Sequence, residues 1–168
     1  MEERFLGTVL QPNSHGSASP PSLGEIGLNS FAPYLMNRLM ARYNANLADE
    51  FGQVGMTTAK VRALAVLSVA SSVTINELSV FAVTEQSTMS RTLDSLEEQG
   101  FIRRQPRPED MRVRDVAITE EGRAAFDQVW PTMYGFLMQM FDGIEEDEHR
   151  AFVGTLQKML RNVRKHDI

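Results

Sequence analysis

Residues 86 to 119 read QSTMSRTLDSLEEQGFIRRQPRPEDMRVRDVAIT. Two periods follow one another here. Met89, Leu93 and Leu96 recur at i, i+4 and i+7, which predicts the apolar stripe of a helix, with Gly100 as its natural stop. The opposite arc holds Ser87, Thr88 and Arg91, flanked by Gln86 and Ser90. Ordinary solvated faces usually mix Lys with Glu, whereas this one offers short hydrogen-bonding side chains and a guanidinium. Beyond Gly100, FIRR and VRDVAI are short runs joined by QPRPEDMR. Pro106 and Pro108 preclude a helix across the joint, and Val113, Asp115 and Ala117 alternate with Arg114, Val116 and Ile118 as strand residues do. The expectation is a polar-faced helix followed by a hairpin rich in arginine.

The whole chain has a net charge of -5, but a phosphate backbone feels the field within roughly 8 Å at physiological salt, so the distribution of charge matters more than its sum. Residues 101 to 114 carry Arg103, Arg104, Arg107, Arg112 and Arg114 against only Glu109 and Asp110, while acids gather near Glu145 to Glu148. An exposed helix face or an Arg-rich surface loop would explain either element taken alone. Their succession points to duplex DNA. A helix fits the major groove, where short polar side chains and Arg match base edges, and an arginine at a hairpin tip suits the negative potential of a narrow minor groove.

Working outward, TINEL places Thr74 and Glu77 at the spacing of a capping box, predicting a short helix to about Phe81. TTAKVRALAVLSVAS predicts a buried helix with Thr57 at its start. Leu35, Leu39, Tyr43, Leu47 and Phe51 recur every fourth residue, so a helix should begin near Ser30 as N-cap, with Pro33 tolerated in its first turn. The first 28 residues, rich in Ser, Pro and Gly, read as a flexible arm. On the C-terminal side, Thr119 should cap a long helix that is interrupted and bent at Pro131. A last helix carries Phe152, Leu156, Met159, Leu160 and Val163 on one face. The faces at Leu35 and Leu39 and at Phe152, Leu156 and Met159 have no evident partner within one compact domain, so a homodimer formed by both termini is expected.

Composition removes several function classes. With no cysteine among 168 residues, there is no disulfide, thiolate metal site or thiol nucleophile. His15, His149 and His166 are far apart and read as surface residues, so no metal is expected. No G-x-S-x-G, H-E-x-x-H or phosphate-loop pattern occurs, so neither an enzyme nor a cofactor is expected. The N-terminus lacks an apolar run of signal-peptide length and no segment approaches the roughly 20 apolar residues of a membrane span. A cytoplasmic protein without membrane contact is the expectation. The methionines at 36, 40, 133, 138 and 140 read as core or dimer interface.

STMSRTLDSLEEQGFIRR followed by RPEDMRVRDVAITEEG resembles the recognition helix and wing of the MarR-type winged helix-turn-helix transcription regulators, and the likeness extends over roughly residues 30 to 165. The signature positions are Asp110, Arg112, Ile118, Thr119 and Gly122. The resemblance implies a mainly α (α+β) fold with a two-stranded wing. It divides the chain into the arm (1–28), an N-terminal helix of a dimerisation region (29–55), the winged domain (56–122) and the C-terminal helices of the dimerisation region (123–168). It also implies a homodimeric repressor on an inverted-repeat operator of double-stranded DNA. Gln86, Ser87, Thr88, Ser90 and Arg91 would face the major groove. Arg112 would enter the minor groove, Asp110 would hold the wing tip, and Arg107 and Arg114 would lie at the DNA with them. Many members release DNA on binding a small aromatic or phenolic acid, for which Tyr34, Arg38, Arg62 and Trp130 are the candidates here, although core or surface roles account for each as well. Three departures stand out: Met111 occupies a position that is often basic, Val83 one that is often Gly, and Glu85 lies at the start of the DNA-facing helix. The alternative reading is a winged-helix dimer whose recognition surface binds protein.

Overall fold

The computed structural model describes residues 20 to 107 and 110 to 163. They fall into two compact units, one ending at Asn46 and the other beginning at Leu47. Most of the expected arm, together with His15, Pro108, Glu109 and His166, lies outside the described residues.

The first unit corrects the reading of its own start. Residues 23 to 26, assigned to the arm, form helix α1 (Leu23–Ile26), because Ser22 and Glu25 make the same reciprocal capping box that was recognised further along at Thr74 and Glu77. Ser30 is not an N-cap. It closes a 3-10 turn (Leu28–Ser30), and helix α2 (Ala32–Gln53) starts from the carbonyl of Phe31, which accepts from the N–H groups of Tyr34 and Leu35. Pro33 sits in the first turn, where the helix requires no N–H.

In the second unit, helix α3 (Thr58–Val69) is capped by the hydroxyl of Thr57, which accepts from the Lys60 N–H. Val61, Ala63, Leu64 and Leu67 are fully buried and form the centre of the core. Strand β1 (Val73–Thr74) leads directly into helix α4 (Ile75–Phe81), whose Thr74–Glu77 capping box is present as expected. After a short turn come helix α5 (Gln86–Glu98), strands β2 (Ile102–Arg107) and β3 (Asp110–Ile118), and helices α6 (Glu120–Met140) and α7 (Glu146–Val163).

The sheet has three strands in the order β1-β3-β2, all antiparallel. The wing hairpin was expected; the third strand was not. Val73 and Thr74 pair with Val116 and Asp115, a contact too short to leave a period in the sequence. Pro106 is accommodated because β2 is an edge strand. The interruption at Pro131 does not occur, for α6 runs through it. The ring removes the N–H that would reach the Asp127 carbonyl, and the bonds on either side carry the helix on.

Candidate nucleic-acid interface

Helix α5 is held by its apolar stripe. Met89, Leu93 and Leu96 are 0% exposed, and Thr92, also buried, returns its hydroxyl to the Thr88 carbonyl at 2.9 Å. This leaves the other arc outward: Gln86, Ser87, Thr88 and Arg91 are exposed and Ser90 is half-buried. Gln86 opens the helix, and its Nε2 donates to Oδ1 of Asn76 on α4 at 2.7 Å. The turn between the two helices contains Val83 at φ 51, the one non-glycine residue with positive φ among the described residues. A β-branched side chain in that left-handed region is strained. Glu85 precedes α5 without forming a capping bond, and its side chain is exposed.

The five arginines of the hairpin region separate into two roles. Arg104 is turned inward, with Nη2 at 2.7 Å from Asp94 and Nε at 3.5 Å from Glu97, both on α5. Its backbone N–H also donates to Glu97, so it ties the base of the wing to the polar-faced helix. Arg107 donates from Nε and Nη2 to the carboxylate of Asp115, the latter at 2.6 Å. This hydrogen bonding, aided by the guanidinium charge, lowers the Asp115 pKa below its ordinary value. Arg107, one of the residues expected at the DNA, thus braces the hairpin through Asp115. Arg103, Arg112 and Arg114 are exposed. By strand alternation Arg112 and Arg114 share a face. At the wing tip the carboxylate of Asp110 accepts from the Arg112 N–H at 3.0 Å. Met111 beside it is 71% exposed.

A cleft of about 380 Å³ separates the wing from the helix-turn-helix. Arg112 and Arg114 line one side and Gln86, Ser90 and Asn76 the other. A second, larger concavity next to it is lined by Asn76, Gln86, Val83 and Glu85. A duplex edge presents base hydrogen-bonding groups flanked by phosphates, and this surface presents polar amides and hydroxyls flanked by guanidinium groups.

The MarR family model matches residues 56–113. A crystal structure of a MarR-family transcriptional regulator from Silicibacter pomeroyi is 49% identical, covers 88% of this chain and 100% of its own, and superposes with a TM-score of 0.84. The chain belongs to the MarR family. It is a transcriptional regulator of that type. A second MarR regulator from Silicibacter pomeroyi is 28% identical over 86% of this chain and 95% of its own, with a TM-score of 0.77. The HTH-type transcriptional repressor IacR of Pseudomonas putida is 27% identical over 143 residues, which is 85% of this chain and 83% of that protein.

Within this MarR chain, the residues Ile-Thr-Glu-Glu-Gly have a structural explanation. Thr119 caps α6 by accepting from the Gly122 N–H and donates its own hydroxyl to the Gly100 carbonyl at 2.7 Å. Gly122 packs against the Phe101 backbone so closely that a Cβ would lie 2.0 Å from its carbonyl oxygen. Only glycine fits there. The effector candidates fall into smaller groupings. On α2, Arg38 lies 5.8 Å from the Tyr34 ring centroid. On α6, Trp130 lies between Phe126 and Tyr134, with centroids 6.0 Å away on each side. Arg62 is half-buried on α3. Sequence reasoning missed Asn76 and the inward role of Arg104. A capping-box helix leading into the polar-faced one was a usable signal for Asn76, the second residue of that helix; nothing local marked Arg104.

Proposed function

We propose that this chain is a homodimeric repressor that binds an inverted-repeat DNA operator. Helix α5 enters the major groove through Gln86, Ser87, Thr88, Ser90 and Arg91, Arg112 reaches the minor groove from the wing, and Arg114 meets the backbone. The observation that carries the reading is the shared cleft, in which the polar arc of α5 faces the exposed wing arginines Arg112 and Arg114. The two termini, residues 29–55 and 123–168, form the dimer, and residues 56–122 form the winged domain. Their exposed apolar residues support this, among them Leu35, Leu39, Phe152 and Leu160. Two recognition helices would then lie about 34 Å apart, one turn of DNA. A small aromatic acid releases the DNA by favouring a second arrangement of the dimer, with a coupling of about 5- to 150-fold.

Titration of the purified chain into random duplex at low salt, repeated across a salt series, tests the DNA reading. Steeply salt-dependent binding is expected, because each neutralised phosphate releases counterions. Absent or salt-insensitive binding would instead favour the protein-binding module.

A further inference from the structure

We infer that Asn76 is a positioning residue that orients the Gln86 amide toward one base, and that the pair selects adenine over guanine at that position. The inference rests on the DNA reading proposed above and deepens it.

Asn76 is itself well anchored. It is the second residue of α4, inside the turn closed by the capping box, where the Thr74 N–H donates to Glu77 at 2.7 Å and the Glu77 N–H donates to Thr74 at 3.3 Å. Its carbonyl accepts from the Ser79 hydroxyl at 2.8 Å. From this fixed turn Oδ1 accepts from Nε2 of Gln86 at 2.7 Å. Both side chains line the cleft facing Arg112 and also the concavity beside it, so the pair stands at the centre of the proposed interface.

The hydrogen-bond inventory then sets the preference. A glutamine amide has two N–H donors and one carbonyl oxygen. With one N–H given to Asn76, Gln86 retains one donor and one acceptor. Adenine presents the complement in the major groove, N7 as acceptor and N6–H as donor, whereas guanine presents two acceptors, N7 and O6. Guanine would therefore set O6 against the Gln86 carbonyl oxygen. Without Asn76 the amide is free to turn and present both N–H groups, which suits guanine.

The test is selection from a duplex library of randomised sequence, followed by sequencing, with the full chain as wild type, Asn76→Ala, Asn76→Asp, Gln86→Ala and the Asn76→Ala/Gln86→Ala double variant. Wild type is expected to enrich adenine at one Gln86-dependent position per half-site. Asn76→Ala should lower the adenine-to-guanine ratio there by about three- to tenfold, the worth of one hydrogen bond, and should add nothing in the Gln86→Ala background. Asn76→Asp retains the acceptor, so it should keep the adenine preference while binding every sequence more weakly through its added charge. A uniform loss of affinity in Asn76→Ala with the ratio intact would overturn the inference, as would broadening at a different position, additive effects in the double variant, loss of the preference in Asn76→Asp, or a base other than adenine at the Gln86-dependent position. If wild type enriches no sequence at all, the proposed DNA-reading function falls with it, an outcome distinct from all of these.

Discussion

Helices α5 and α7 are both one-sided, and only one of them buries its apolar side. In α5, Met89, Leu93 and Leu96 are wholly enclosed by α3, α4 and β2. In α7, Phe152 remains 40% exposed, Leu160 65% and Val163 73%, even though Phe152 meets the Phe141 ring at a centroid distance of 6.1 Å. The same pattern of apolar residues thus serves two ends. In α5 it anchors the helix so that a polar face is displayed, and in α7 the displayed face is the apolar one. In the proposed dimer, a second copy would cover the open stripe.

The largest effect is expected at α7. Phe152→Glu together with Leu160→Glu should give a monomer by light scattering while the winged domain keeps its helical circular dichroism. Operator affinity should fall by about 100-fold or more as the second half-site is lost. A variant that stays dimeric would mean that the α7 stripe is not the interface. The next largest effects belong to the enclosed side. Leu93→Ala should cost about 2 to 5 kcal/mol by opening a cavity in the core, and Gly122→Ala about 3 kcal/mol by driving a methyl group into the Phe101 backbone. Denaturant titration should show both losses to be independent of protein concentration, whereas the loss in Leu160→Ala should vary with it. The smallest effect has the opposite sign. Val83→Gly relieves a left-handed β-branched residue at a cost in unfolded-chain entropy, for a net gain of about 0.5 to 1 kcal/mol. A rise in melting temperature would bear this out, and a fall would show that the strain is illusory.

How far the sequence could be read follows the same division. Features that repeat or cap were legible: the Met89, Leu93 and Leu96 stripe, the Thr74–Glu77 box, the Thr119 cap and the alternation through Val116. Helix α1 was overlooked because a serine-rich and proline-rich composition outweighed the Ser22–Glu25 spacing, although that spacing was the stronger physical signal. Strand β1 was not legible, since two residues cannot display a period and its partners lie 42 positions or so along the chain. The arginine cluster was found, but its internal division was hidden. Whether an arginine faces solvent or a carboxylate depends on contacts such as Arg104 with Asp94 and Arg107 with Asp115, which the fold brings together. Among the candidate DNA contacts Arg107 is paired in this way, while Gln86, Ser87, Thr88, Arg91, Arg112 and Arg114 are exposed.

In the proposed complex the polar arc of α5 and the tip of the wing engage the same duplex in different ways. A salt series of affinities for a selected operator, a single-base variant and random duplex, measured for wild type, Arg91→Ala and Arg112→Ala, separates the two. Arg91→Ala should cost about 1 to 3 kcal/mol on the operator and relax the preference at one base position per half-site. Arg112→Ala should weaken all three duplexes alike and lower the salt slope by about one unit. If Arg112→Ala leaves all three affinities unchanged, the wing does not touch DNA.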